Sequence, residues 1–274
     1  MQHGDRLRFA TDLAQQAGQL IRQRRDSGQL DQSYKGGIEL VTDADLAAEK
    51  LIKKALQASY AGDAILAEET AQQLPDEQLR GPLWVIDPID GTVNYAHGHS
   101  MVAVSIAWYD EGLAQVAVVY NPFLNECFTA VRGVGAWLNG AVIQSSATTD
   151  LSRALVATGF PYSRETRPEL INRLGRIMSV CADVRRLGSA ALDICWVACG
   201  RLDAYYETVS PWDSAAAQLI AREAGACLSR YKPLESPMPG ELDGRNWLIS
   251  SPGVHDALYK VLGDDSAEPT QNNS

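Results

Sequence analysis

The sequence predicts a mixed α/β protein, α+β in its first half with an antiparallel sheet, and a smaller alternating α/β layer in its second. Three observations carry this. Apolar residues recur at helical spacing over positions 10–21 and again over 47–56. β-rich runs parted by short turns fill positions 101–140, and strand and helix patterns alternate after about Ser145.

The elements follow in order. Ala10, Leu13, Ala14, Ala17, Leu20 and Ile21 form one apolar stripe, which predicts a helix over 6–24. A second helix starts at Thr42 or Asp43, with Ala47, Ala48, Leu51, Ile52, Ala55 and Leu56 inward. Ala64-Ile65-Leu66 reads as a strand, 70–81 as a polar turn region, and Leu83-Trp84-Val85-Ile86 as a buried strand. Runs at 101–109, 113–120 and 126–131 are separated by Asp110-Glu111-Gly112 and Asn121-Pro122, turns short enough to make them antiparallel neighbours. Further on, strands are expected at 155–158, 203–206 and 247–250. Helices are expected at 167–181, 190–199, 211–224 and 254–262. Residues 1–142 and 143–263 form the two halves, and 264–274 is a polar tail expected to be disordered.

A net charge of −10 argues against binding nucleic acid or an anionic membrane, both of which favour a basic face. No apolar stretch approaches the length of a spanning helix, and residues 1–8 lack the apolar core of a signal peptide. The five cysteines have no CxxC spacing, and Cys195 and Cys199 are four apart in an apolar helix, the spacing of buried free thiols. A cytoplasmic, reducing location is expected.

The chemistry concentrates in Asp87-Pro88-Ile89-Asp90-Gly91-Thr92, directly after the buried strand. Two carboxylates held together there repel unless a cation sits between them, and Mg²⁺ suits such oxygen ligands. Pro88 stiffens the turn. Gly91 admits a phosphate close to the backbone, and a helix starting at Thr92 or Val93 would present free amides to it. A lone Asp-x-x-Asp is usually a solvated turn, but the apolar strand before it and Gly-Thr after it favour a site. Glu68 follows its own strand. Asp213 opens a helix behind Pro211-Trp212, and Thr42 to Asp45 is a helix-start box; taken singly, each of these has a bland explanation.

Together these segments resemble the inositol monophosphatase family. The resemblance also takes in Leu40 to Asp45, Val102 to Ile106, Gly133 to Ala136, Asn139-Gly140, Gly188-Ser189-Ala190-Ala191, Asp203 to Glu207 and Glu223-Ala224-Gly225, covering nearly the whole chain in order.

The resemblance implies a layered αβαβα sandwich and a Mg²⁺-dependent phosphomonoesterase. One Mg²⁺ would be held by Glu68, Asp87 and the Ile89 carbonyl, and a second by Asp87, Asp90 and Asp213. A third, weaker ion would lean on Glu68, and Mn²⁺ would be a possible substitute. Two such ions can clamp the attacking and leaving oxygens of an in-line displacement. Glu68, Asp45 and Thr92 would form the catalytic group, with Thr92, paired to Asp45, orienting the attacking water. Phosphate would rest on Gly91 and Thr92. Asp90, Gly188, Ser189, Ala190, Glu207 and Asp213 would complete the substrate site, and Lys35 matches a lysine near the metal loop. Ala67, Ala217 and Ala226 stand where the family commonly has glycine, and the loop from Glu207 to Asp213 is one residue shorter. The implied substrate is inositol monophosphate. The alternatives are fructose 1,6-bisphosphate, 3′-phosphoadenosine 5′-phosphate, NADP or histidinol phosphate, or a non-catalytic role as a protein partner. A homodimer and inhibition by Li⁺ are expected from the same resemblance.

Overall fold

The computed structural model describes residues 2–28, 31–35, 39–71, 73–160, 167–234 and 238–263. The expected disordered tail at 264–274 lies outside them. The first apolar stripe forms α1 (Gln2–Asp26), followed by the pair β1 (Gln32–Lys35) and β2 (Glu39–Thr42). Then come α2 (Asp43–Ser59), β3 (Ala64–Ala67), α3 (Asp76–Arg80), β4 (Leu83–Asp90) and α4 (Thr92–Ala96). The β-rich region gives β5 (Ala103–Asp110), β6 (Leu113–Asn121), β7 (Glu126–Val131), β8 (Gly135–Leu138) and β9 (Ala141–Val142). A single 3-10 turn, Leu151–Arg153, leads to β10 (Leu155–Thr158), α5 (Arg167–Met178), β11 (Asp183–Arg185) and α6 (Ala190–Ala198). The chain continues through β12 (Ala204–Glu207), α7 (Pro211–Glu223), β13 (Cys227–Arg230), β14 (Trp247–Ser250) and α8 (Pro252–Gly263).

Strands β3 to β9 form a seven-stranded sheet in chain order, and the last five strands form a second sheet in the order β11-β10-β12-β14-β13. Three apolar cores separate the layers. Trp84 and Ile86 point outward and pack with Ala10, Leu13, Ala17, Ile52 and Leu56 of α1 and α2. Leu83 and Val85 point the other way and join Ile194, Val197, Ala216 and Ile220 of α6 and α7, which also cover Tyr205 and Ile249 of the second sheet. On that sheet's far face, Val156, Ala204 and Leu248 pack with Ile177 of α5 and with Val254, Leu258 and Leu262 of α8. The order is therefore α1α2, sheet, α6α7, sheet, α5α8, the expected five-layer sandwich. The period-two alternation along β4 is what lets one strand serve two cores.

The first sheet is mixed rather than wholly antiparallel, because β3 and β4 run parallel. They are joined by a crossover carrying α3, long enough to return the chain to the same end, whereas the later strands are linked by tight turns. In the second sheet β10 pairs in parallel with β11 and β12, while β14 is antiparallel to β12 and β13. The short strands β11 and β13 lie at its edges, β11 with Asp183 and Arg185 exposed and β13 half-buried throughout, and neither shows a clear apolar alternation. α5 ends at Met178, three residues before the expected end. All five cysteines are free, with Cys195 buried and Cys199 half-buried. Ala67 and Ala217, standing at common glycine positions, place their methyl groups inside the cores. Among the described residues no helix is long and apolar enough to cross a membrane.

Candidate metal centre

All eight residues of β4 are buried, including both acids. Side chains three apart on a regular strand face opposite sides of the sheet. Here the pairing with β5 shifts between Asp87, opposite Ser105, and Asp90, opposite Ala103. The extra residue is a β-bulge, and it falls at Pro88, which has no amide hydrogen to give the ladder. Ile89 accordingly packs with Trp84 and Ile86 in the outer core, and Asp87 and Asp90 emerge together on the inner face. The expected turn is a bulged strand, and the bulge is what brings the two acids together. Gly91 then adopts φ +96°, and a Cβ there would lie 2.9 Å from the Met101 carbonyl oxygen and 3.0 Å from that of Gly188. That crowding explains the glycine without reference to a ligand.

Each carboxylate near this point is anchored by a helix start. Asp90 receives the amides of Ala190 (3.3 Å) and Ala191 (2.7 Å), and the Ser189 hydroxyl at 2.5 Å, at the first turn of α6. Asp213 is the third residue of α7 and accepts the Ser210 amide at 2.9 Å in a capping box. Asp45 caps α2 in the same way, taking the Thr42 amide and hydroxyl at 2.7 and 2.6 Å. Asp87 folds back onto the Ile89 amide at 2.9 Å. The bland and the functional explanations of these acids hold together, since a cap occupies only part of a carboxylate's acceptor capacity.

Asp87, Asp90 and Asp213 each offer an oxygen, and these lie within 4.8 Å of one another. Burial first, then the charges of Glu68, Asp90 and Asp213, hold the Asp87 carboxyl well above its ordinary range. Asp213 is raised for the same reasons, by burial and then by Asp90. Asp90 is pushed up to about 6 by burial, opposed by its bonds to Ser189, Ala191 and Ala190. Among the described residues no lysine or arginine forms an ion pair with any of the three. Two buried carboxyl groups and a half-buried third, without a paired base among the described residues, suit a hard divalent cation with oxygen ligands. The donor set fits such an ion.

The cluster opens into a cavity of about 360 Å³. Glu68, Asp87, Ile89, Asp90, Gly91, Thr92, Gly188, Ser189, Ala190, Glu207 and Asp213 all line it. Asp45 lies behind the wall, fully buried, and accepts the Thr92 hydroxyl at 3.1 Å. The Lys35 side chain falls outside the described residues. Glu207, despite the shortened loop, faces the same cavity as Asp213. It accepts the Tyr205 hydroxyl at 2.7 Å and sits where a Cβ on Gly159 would be, 2.0 Å from Oε2. Burial pushes its carboxyl up to about 7. Two lining residues were not foreseen. Arg186 is the one basic residue among the described residues that line the cavity, and Asp193 is a buried acid on α6. A charged residue in the apolar run Ala190 to Cys199 was the available signal for Asp193.

The profile of the inositol monophosphatase family matches residues 4–262. The chain belongs to the inositol monophosphatase family. Within it, the chain is 42% identical over 266 residues to the Nus factor SuhB of Escherichia coli K12, covering 96% of this chain and 97% of that one. It is 37% identical over 261 residues to inositol monophosphatase 1 of Solanum lycopersicum, covering 93% and 94%. The crystal structure of extragenic suppressor protein suhB from Bartonella henselae superposes with a TM-score of 0.85 at 30% identity, covering 94% of this chain and 98% of that one. The five-layer sandwich is thus the inositol monophosphatase fold, and the acidic triad occupies its centre.

Proposed function

We propose that the chain is a Mg²⁺-dependent phosphomonoesterase of small phosphorylated polyols, with inositol monophosphate its leading substrate. The observation that supports this most is the convergence of Asp87, Asp90 and Asp213 in one cavity, with no paired base among the described residues. Family membership gives the reaction class, and the tomato relative carries it in its name.

In this reading Glu68, Asp87, Asp90, Asp213 and the Ile89 carbonyl hold the cations. Bound there, they polarise phosphoryl oxygens and lower the pKa of water. They also reverse the sign of an acidic cavity toward an anionic substrate. Thr92 orients the attacking water and takes up its proton. Its hydroxyl proton can pass to the Asp45 carboxylate at 3.1 Å, while the Ile89 carbonyl, also at 3.1 Å, can only accept a hydrogen bond from it. The amides of Gly91 and Thr92 receive the phosphoryl group, and Gly188, Ser189, Ala190 and Glu207 face the leaving alcohol. The proposal includes a homodimer and inhibition by Li⁺, checked by sedimentation and by a lithium titration.

The test is phosphate release from myo-inositol 1-phosphate, fructose 1,6-bisphosphate, 3′-phosphoadenosine 5′-phosphate, NADP and histidinol phosphate, with and without Mg²⁺. The highest kcat/KM is expected for the inositol ester. A higher value for another ester reassigns the substrate, and no turnover of any ends the enzymatic reading.

A second reading is favoured by the 42% identical relative named Nus factor SuhB. A role of that kind can coexist with catalysis, and net charge alone does not exclude a nucleic-acid or protein partner. An Asp90→Asn variant separates the two roles: it is expected to lose turnover and keep any macromolecular binding of the wild type, measured by co-sedimentation.

A further inference from the structure

The cavity contains one polar group that neither the fold nor the metal cluster accounts for. Asp193 sits in the first turn of α6 and is 1% exposed. Its Oδ1 is buried with no hydrogen-bond partner, and no hydrogen bond or ion pair reaches its carboxyl group among the described residues. The usual structural duty of an acid at a helix start is already discharged by others. Ser189 Oγ caps the Leu192 amide, its carbonyl takes the Asp193 amide, and Asp90 takes those of Ala190 and Ala191. Asp193 caps nothing.

A buried carboxyl without partners costs stability, so its retention calls for a reason outside the folded chain. Asp193 lines the same cavity as the metal cluster, on the part of its wall that also holds Glu207 and Arg186. Those two are close enough for their charges to act on it. Glu207 is held in place by the Tyr205 hydroxyl and by the Gly159 backbone. Two acids, one buried and one half-buried, and one exposed base thus offer acceptors and a donor along the same cavity.

We infer that Asp193 is a specificity-determining residue, whose carboxyl group accepts a hydrogen bond from a hydroxyl of the leaving alcohol beside Glu207. The inference rests on the phosphatase reading and narrows it to esters whose alcohol carries hydroxyls remote from the phosphate. An alcohol of the same size without them leaves Asp193 as unsatisfied as it is in the free protein.

The test compares myo-inositol 1-phosphate with cyclohexyl phosphate, which has the ring and none of the other hydroxyls, in the full-length wild type and in Asp193→Asn and Asp193→Ala. The ratio of kcat/KM for the inositol ester to that for the cyclohexyl ester is expected to fall roughly 10- to 100-fold in Asp193→Ala, the cost of leaving a buried hydroxyl without its acceptor. The fall is expected to be smaller in Asp193→Asn, whose amide oxygen still accepts. Tm in both variants is expected to stay level or rise, because a buried carboxyl group without a partner has been removed. An unchanged ratio, or a lowered Tm with both esters slowed alike, overturns the inference and marks a structural acid. If the wild type cleaves neither ester, the phosphatase reading fails first. Binding of free myo-inositol, followed by saturation-transfer NMR with Mg²⁺ present, then decides. Binding by the wild type that is lost in Asp193→Ala sustains the polyol site, and absence of binding by the wild type overturns it.

Discussion

The Thr92 hydroxyl and the Asp45 carboxylate meet at 3.1 Å, joining segments forty-seven residues apart. Asp45 also takes the amide and the hydroxyl of Thr42, so it is fixed before Thr92 reaches it. Thr92→Val keeps the side-chain volume and removes the hydroxyl proposed to carry the proton. A fall in kcat of roughly 10²- to 10⁴-fold with little change in KM is expected, the range of a lost acid-base group. Steady-state kinetics check it, and calorimetry should show cation uptake preserved.

Asp90 carries two duties that can be separated by substitution. Asp90→Asn removes the charge and keeps an acceptor for α6, so turnover should nearly vanish while thermal stability stays within about 1 kcal/mol. Asp90→Ala leaves the Ala190 and Ala191 amides and the Ser189 hydroxyl without their partner, at a cost of about 1–3 kcal/mol per buried group. Urea denaturation distinguishes the two variants.

The acidic cluster makes a prediction about pH. Asp87 and Asp213 are held well above the ordinary carboxylate range, and Asp90 is raised to about 6, all by burial first. In the cation-free protein these groups keep protons that the unfolded chain has already released. Their contribution to stability is therefore complete below about pH 4, where the unfolded chain is still protonated, and is lost as pH rises through the raised values. Cations require the deprotonated form, so the rise in Tm on adding Mg²⁺ should grow from about pH 5.5 to about pH 8. Differential scanning fluorimetry across that interval checks it. An increment independent of pH would mean that the cation binds elsewhere.

Gly159 keeps the space that Glu207 fills. Gly159→Ala places a methyl carbon 2.0 Å from the present position of Oε2, so Glu207 must swing away. KM for the inositol ester should rise in Gly159→Ala and in Glu207→Ala. Because both changes act through one side chain, the double variant should lose much less than the sum of the two, with a coupling of about 0.5–3 kcal/mol.

Much of this site is legible in the sequence because its acids stand at element boundaries, where polar residues break apolar runs. Asp87 follows Leu83 to Ile86, Asp213 follows Pro211-Trp212, and Asp45 follows Leu40-Val41. What the pattern hides is parity. A spacing of three on a strand sends two side chains apart, and only the bulge at Pro88 reunites Asp87 with Asp90. A proline inside a buried run was the clue, and it points to a bulge rather than a turn. The edge strands β11 and β13 were missed because edge positions need no apolar alternation. The β1–β2 pair was missed because four-residue strands carry too little pattern. The parallel pairing of β3 with β4 depends on where a crossover lands, which no local run of residues encodes.

The hold of Asp90 on α6 ties assembly of the acidic cluster to the order in which the polypeptide is made. A nascent chain that has emerged only as far as β9 carries Asp87 and Asp90 but lacks the amides of Ala190 and Ala191 and the third acid, Asp213. Its two charges then repel without relief, and the pair is short of a ligand. The three-acid cluster is therefore complete only when the later helices have joined the first sheet.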